Sequence, residues 1–194
     1  MKKDLVKTYM THKCNTDKYN LGYLDNFYQE FFDKHYDNIK TMLEIGVKKG
    51  GSLKLWAHYF ENADIHGVDI SQPVSVSGAK VYKSNAYSKE FVNKFDDKFF
   101  DLVIDDGPHT YQSWLDLIDL YYDKIKDGGY LIIEDIILPL NKMGATAPQI
   151  KELIKHAELK GFSFEEQRLF MGLQKTERLL NMWSKHLSIL VFKK

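Results

Sequence analysis

The sequence predicts an α/β fold with a doubly wound, mostly parallel sheet that ends in an antiparallel hairpin. Short apolar segments alternate along the chain with helical patterns, which is the order of strands and crossover helices in a parallel sheet. The chain has 194 residues, of which 44% are hydrophobic and 28% charged, so it carries enough apolar material for one core. We therefore expect one domain rather than two.

Five apolar segments predict the parallel strands: Thr41 to Ile45, Ala63 to Val68, Ala79 to Lys83, Leu102 to Ile104 and Tyr130 to Ile133. Apolar residues spaced three and four apart predict a helix from Leu24 to about Tyr36, ahead of the first strand. A stripe from Trp114 to Ile125 predicts another helix, which Asp127-Gly128-Gly129 ends.

The C-terminal part of the chain predicts one helix and a hairpin. Pro148 suits the first turn of a helix that runs to Gly161. The segments Phe162 to Phe170 and His186 to Phe192 then predict two antiparallel strands that close the sheet. The result is a Rossmann-like arrangement.

The charge balance limits the classes of partner. Lys plus Arg and Asp plus Glu each number 27, which argues against a protein that binds nucleic acid by neutralising phosphates. The one cysteine, Cys14, cannot form an internal disulfide, and the N-terminus leads into no apolar run long enough for a signal peptide or membrane span. We expect a soluble cytoplasmic protein with neither a nucleic-acid nor a membrane partner.

A glycine-bearing turn follows the first strand, where open α/β sheets bind ligands. Gly46, Gly50 and Gly51 let the backbone approach a ligand, and Ser52 can cap the next helix. Lys48 breaks the Gly-x-Gly-x-x-Gly spacing, so a dinucleotide pyrophosphate is poorly supported. A tight turn with no ligand stays an alternative.

The second and third strands end in polar residues that suit a nucleoside. Asp69 can accept two hydrogen bonds from a ribose diol, although alone it could be a helix cap. Asn85 lies where an adenine edge could be read, and a role in a turn explains it equally well.

The fourth and fifth strands end in the most informative residues, Asp105, Asp106 and His109 after one and Glu134 and Asp135 after the other. Neighbouring parallel strands lie about 4.8 Å apart, so these side chains should share one crevice. Four carboxylates would repel one another, and a hard divalent cation such as Mg²⁺ is the usual remedy. His109 could be a general base or the ligand of a softer metal. Helix and loop capping would explain one carboxylate but hardly all four.

These segments together carry a resemblance to a known family: Leu43-Glu44-Ile45-Gly46, Gly50-Gly51-Ser52, Gly67-Val68-Asp69, Ile104-Asp105-Asp106-Gly107-Pro108-His109 and Ile133-Glu134-Asp135. They resemble class I S-adenosylmethionine-dependent methyltransferases, more narrowly the metal-dependent macrolide-sugar O-methyltransferases, whose relatives include the cephalosporin hydroxylase family. Thr16-Asp17-Lys18 and residues 23–28 also look like that family's opening. We accordingly divide the chain into an N-terminal arm and helix, residues 1–38, and a single methyltransferase-like domain, residues 39–194.

The resemblance implies two cofactors, S-adenosylmethionine and Mg²⁺ or another hard divalent cation. It implies that the loop from Glu44 to Gly50 holds the methionine part, that Asp69 binds the ribose and that Asp105 lies on the cofactor side. By the same resemblance Asp106, Glu134 and Asp135 would be metal ligands and His109 the base. The family's enzymes carry an added N-terminal domain, so their acceptor and oligomeric state do not transfer, and a homo-oligomer stays open.

The chemistry points to a small acceptor with adjacent hydroxyls, such as a sugar or a nucleotide-linked sugar, because a cation chelated by a diol lowers the pKa of the hydroxyl to be methylated. Two alternatives stay open: an NAD-dependent oxidoreductase, since Asp69 fits either cofactor, and a non-catalytic nucleoside-binding subunit of the same fold. An iron oxygenase with two histidines and one carboxylate is disfavoured, because only one histidine lies among these carboxylates.

Overall fold

The computed structural model describes residues 3–71, 74–136, 143–170 and 188–194. The strands are β1 Thr41–Ile45, β2 Asp64–Asp69, β3 Ala79–Lys83, β4 Phe100–Asp105, β5 Ile125–Ile136, β6 Ser163–Leu169 and β7 Ser188–Lys193. The helices are α1 Leu5–Thr11, α2 Gln29–His35, α3 Gly51–Tyr59, α4 Lys89–Val92, α5 Tyr111–Tyr121 and α6 Ala147–Lys160.

The seven strands form one sheet in the order β3-β2-β1-β4-β5-β7-β6. Strands β1 to β5 are parallel, β7 runs antiparallel to β5, and β6 pairs antiparallel with β7. The doubly wound sheet and its C-terminal antiparallel pair are thus confirmed. The strand order reverses between β1 and β4, so a crevice opens at their carboxyl ends, where such sheets bind ligands.

Each face of the sheet is covered by its own apolar cluster. Met42 belongs to the cluster under α1, α2 and α3, and Leu43 belongs to the cluster under α5 and α6. This division follows from the strand geometry, because neighbouring residues point to opposite faces. Residues 5–39 supply many of the first cluster's buried side chains, so the N-terminal segment forms one layer of the core.

A π-helical turn, Leu24–Tyr28, precedes α2. The backbone N–H of Gln29 donates to the carbonyl of Leu24, five residues earlier, instead of four as in an α-helix. The helix predicted from Leu24 to Tyr36 is therefore present, but with a wider first turn. That turn brings Tyr23 and Tyr28, five residues apart, to the same side.

The structure corrects the predicted boundary between α5 and β5, and it extends the strands predicted at Leu102 to Ile104 and Tyr130 to Ile133 at both ends. The helix expected to reach Ile125 ends at Tyr121, and Ile125 begins β5 opposite Phe100. Ile125 is fully buried and fits either the helical stripe or the first position of a strand. The expected helix stop at residues 127–129 is an irregularity inside β5, where Gly128 has a φ of 80°.

The C-terminal predictions hold where the structure describes them. Helix α6 begins after a capping box formed by Thr146 and Gln149 and ends at Gly161, whose φ is 117°. Strand β7 covers most of the predicted second hairpin strand, while His186 and the segment 171–187 lie outside the described residues. Of the helices described here, none is long and apolar enough to cross a membrane.

Candidate functional site

A cavity of about 740 Å³ opens at the carboxyl ends of β1, β2, β4 and β5. Its volume lies in the usual range for sites that hold a small ligand. Residues 15–17 of the N-terminal segment form part of its wall, together with Met143. Seven predicted site residues line it: Gly46, Ser52, Asp69, Asn85, Asp106, His109 and Asp135.

The remaining predicted cofactor residues, Glu44, Gly50 and Asp105, do not line this cavity. Glu44 and Asp105 are fully buried, and the side chain of Glu44 accepts a hydrogen bond of 2.9 Å from Ser52. Gly50 is the N-cap of α3, with a φ of 79°. The roles of these three residues towards the cofactor stay predictions, and in this structure Glu44 and Asp105 lie behind the cavity wall while Gly50 sets the shape of the turn.

Asp69 is held as an anionic acceptor at the cavity wall. Its carboxylate accepts hydrogen bonds from the backbone N–H of Lys48 at 2.7 Å and of Ser71 at 2.8 Å. Partial burial opposes ionisation, but the bonds from Ser71 and Lys48 outweigh it and lower the pKa of Asp69. The side chain of Asn85 accepts from the N–H of Tyr87 at 3.0 Å, so it also forms a turn.

Gly46 lets the ends of β1 and β4 approach closely. A Cβ at this position would lie 1.9 Å from the carbonyl oxygen of Asp106, and the φ of Gly46 is 91°. Only glycine fits both conditions. The turn after β1, which lines the predicted cofactor region, is therefore in direct backbone contact with Asp106 at the end of β4.

Asp106, His109 and Asp135 form a cluster in which one potential ligand atom from each lies within 4.8 Å of the others. Nε2 of His109 is 3.7 Å from Oδ1 of Asp106 and 3.9 Å from Oδ2 of Asp135. His109 and Asp135 both have a φ of 53°, in the left-handed region that histidine and aspartate adopt more readily than most other non-glycine residues. Two carboxylate oxygens beside an imidazole fit a divalent cation.

Lys18 places a buried ammonium among the carboxylates. Its Nζ lies 2.6 Å from Oδ2 of Asp106, 2.5 Å from Oε2 of Glu134 and 3.6 Å from Oε1 of Glu44. Burial opposes the charge, but these carboxylates raise the pKa of Lys18 well above its ordinary value. The Lys18 ammonium, which comes from the N-terminal segment, thus offsets part of the repulsion among the carboxylates. From the sequence, only a metal ion was expected to do so.

Two tyrosines hold the acidic end of β5. The hydroxyl of Tyr23 donates to Oδ1 of Asp135, and that of Tyr28 donates to Oε1 of Glu134. Both rings are fully buried, and burial together with the adjoining carboxylates raises the pKa of both hydroxyls well above the ordinary value. They are therefore neutral donors.

Glu134 occupies a different position from the other predicted ligands. Its oxygens contact Lys18 and Tyr28, and it is not among the three residues of the cluster. Glu134 and Asp135 are consecutive in β5, so their side chains leave the strand in different directions. The Lys18 ammonium contacts both Asp106 and Glu134, so it occupies the space between these two carboxylates.

The buried carboxyl group of Asp105 should make the stability of the protein depend on pH. Burial raises the pKa of Asp105 to about 7, although Tyr87 donates to it. The folded state then holds a proton that the unfolded state has lost above about pH 4, so stability falls as pH rises from about 4 to 7. For Asp105→Asn, we expect the decrease in unfolding free energy between pH 5 and 8 to shrink by up to about 3 kcal/mol in urea titrations.

The control for this measurement is Asp127→Asn. Asp127 is exposed, and its bond with Lys98 lowers its pKa, so it is ionised in both states across that range. This variant should keep the slope of the parent protein. Equal slopes for the parent and Asp105→Asn would contradict the assignment of a buried, protonated Asp105.

Residues 43–136 match a family model described as a methyltransferase domain. The chain is 27% identical over 130 residues to mycinamicin VI 2''-O-methyltransferase of Micromonospora griseorubida, covering 59% of this chain and 32% of that protein. It is 29% identical over 119 residues to L-olivosyl-oleandolide 3-O-methyltransferase of Streptomyces antibioticus, covering 54% and 31%. The chain thus spans about a third of the length of these curated relatives.

Solved structures share the architecture. A MycE methyltransferase from the mycinamycin biosynthetic pathway, in complex with Mg and SAH, aligns with a TM-score of 0.66 and 20% identity over 98% of this chain and 55% of that one. A SAM-dependent methyltransferase from Archaeoglobus fulgidus aligns with a TM-score of 0.62 and 17% identity, covering 97% and 99%. The fold is that of class I S-adenosylmethionine-dependent methyltransferases.

Proposed function

We propose that this chain, whose residues 43–136 match a methyltransferase domain, transfers a methyl group from S-adenosylmethionine to a hydroxyl of a sugar or another vicinal diol. One observation carries the proposal: a single cavity is lined by the anionic Asp69 at the end of β2 and by the cluster of Asp106, His109 and Asp135. The methyltransferase fold and the sugar O-methyltransferases among the relatives support it.

In this proposal the cofactor lies along the ends of β1, β2 and β3. The Asp69 carboxylate accepts hydrogen bonds from the ribose hydroxyls, and Asn85 lies next to the adenine. The turn from Gly46 to Ser52 adjoins the methionine part, while Glu44 fixes the hydroxyl of Ser52 from behind. The methyl carbon then faces the cluster at the ends of β4 and β5.

The acceptor hydroxyl lies beside His109 in this arrangement. The methyl group leaves the sulfonium sulfur and bonds to the acceptor oxygen in one displacement, which requires alignment and a deprotonated oxygen. Nε2 of His109 accepts the hydroxyl proton, leaving S-adenosylhomocysteine and the methyl ether as products. Asp106 and Asp135 would hold a divalent cation, which would lower the pKa of the diol, whereas Glu134, the third ligand that the resemblance implies, contacts Lys18 and Tyr28.

Asp69→Ala tests the cofactor half of the proposal. By calorimetry with S-adenosylhomocysteine, we expect saturable binding to the parent protein and binding weaker by about 1.5–3 kcal/mol in the variant, the loss typical of hydrogen bonds to a charged group. Asp127→Ala removes an exposed carboxylate far along β5 and should bind like the parent. Saturable binding of NAD in place of S-adenosylhomocysteine would contradict the proposal and favour an oxidoreductase.

Removing divalent cations tests the other half. Protein stripped with a chelator should still bind S-adenosylhomocysteine, because Asp69 and the cluster follow different strands. It should fail to methylate a diol acceptor found by screening glycosides and nucleotide sugars, and added Mg²⁺ should restore the reaction. Full turnover in excess chelator would remove the cation from the mechanism.

A further inference from the structure

We infer that Lys18 and Tyr23 are positioning residues of this site, which orient Asp106 and Asp135 so that one oxygen of each faces His109. The inference rests on the proposed function and extends it to the N-terminal segment. Neither side chain lines the cavity, so both act through the carboxylates that they hold.

In each of the two carboxylates, one oxygen contacts the N-terminal segment and the other lies near His109. For Asp106, Oδ2 contacts the Lys18 ammonium at 2.6 Å, and Oδ1 is the oxygen near His109. For Asp135, Oδ1 accepts from the Tyr23 hydroxyl, and Oδ2 is the oxygen near His109. Each residue of the N-terminal segment therefore fixes the orientation of one carboxylate and leaves its second oxygen for a ligand.

The setting of Tyr23 strengthens the case for this role. Tyr23 is fully buried and precedes the π-helical turn, so its hydroxyl has little freedom to move away. Its contact therefore holds the Asp135 carboxylate beside the proposed reaction centre.

A purely structural role would give different results. If Tyr23 only fastened the N-terminal segment to the sheet, its loss would lower stability without changing a cation's affinity. Groups that orient metal ligands typically change affinity by about 10- to 100-fold when removed. The affinity for Mn²⁺, measured without any reaction, separates the two.

The test compares Tyr23→Phe with Tyr36→Phe. The hydroxyl of Tyr36 donates to the carbonyl of Tyr59 at 3.1 Å, so the control removes one hydroxyl from the same segment away from the site. We expect Tyr23→Phe to bind Mn²⁺ about 10- to 100-fold more weakly by calorimetry, with S-adenosylhomocysteine affinity unchanged. Tyr36→Phe should match the parent, and saturating Mn²⁺ should restore kcat in Tyr23→Phe.

Lys18→Arg provides a second measurement if Tyr23→Phe does not fold. It keeps the positive charge but replaces a point-like ammonium by a planar group that cannot keep the same contacts. We expect weaker Mn²⁺ binding here also. Parent-like Mn²⁺ affinity in a folded Tyr23→Phe or, failing that, in Lys18→Arg would overturn the inference. Failure of the parent protein to bind Mn²⁺ would instead count against the proposed function.

Discussion

Replacing His109 by asparagine should slow methyl transfer by about 10²- to 10⁴-fold, the usual contribution of a general base. Asparagine suits the test because it tolerates the left-handed backbone that His109 adopts, at a φ of 53°, yet its amide cannot accept the proton. The affinities for S-adenosylhomocysteine and Mn²⁺ should stay close to those of the parent. The loss would then reside in the chemical step.

Single-turnover measurements across pH check this expectation. The parent rate should fall toward acidic pH, because a protonated imidazole cannot accept the hydroxyl proton, and that acidic limb should be absent from His109→Asn. His156→Asn changes a surface histidine that pairs with Asp119 and should leave the profile unchanged. Equal rates in His109→Asn would discard the base, and a large loss of Mn²⁺ affinity would make His109 a ligand instead.

Replacing Lys18 by methionine should lower the free energy of unfolding by about 3–5 kcal/mol, the typical cost of removing one partner from a buried ion pair. The variant would leave Glu44, Asp106 and Glu134 without their shared ammonium. Because domains are stable by only about 5–15 kcal/mol, this is a large fraction of the total.

Urea denaturation of the cation-free protein measures the change. Lys80→Met is the control, because Lys80 pairs with Asp64 at the surface with 60% of its side chain exposed, and such pairs contribute about 0–1 kcal/mol. A Lys18→Met protein as stable as this control would mean that the carboxylates are protonated in the folded state and do not require the ammonium.

Local patterns were sufficient to predict most of the sheet and the proximity of three polar residues at one edge of it. The limits of β1 and β3 agree with the apolar segments, since five-residue strands between polar turns carry a clear signal. Asp106, His109 and Asp135 were expected together because adjacent parallel strands end at one edge, and the structure places them there. This prediction needed only the rule that parallel strands adjacent in a sheet end at the same edge.

The residues that surround the cluster could not be found in this way. Lys18 lies 88 residues before Asp106 and 116 before Glu134, so no local spacing connects it with them. The Thr16-Asp17-Lys18 segment resembles the family's opening, but that resemblance assigns no role to the lysine. Strand alternation, applied to Glu134 and Asp135, would have shown that consecutive carboxylates do not point the same way.

The π-helical turn at Leu24–Tyr28 makes the number of residues here as important as their identity. In an ordinary α-helix each position is rotated by about 100° from the last, so residues five apart lie about 140° from each other around the axis. Without the wider turn, Tyr23 and Tyr28 would leave the common side from which they reach Asp135 and Glu134. Deleting one residue together with the π-turn would place the two tyrosines four apart and again on one side, so relatives that share this site should have either five-residue spacing with a π-turn or four-residue spacing without one.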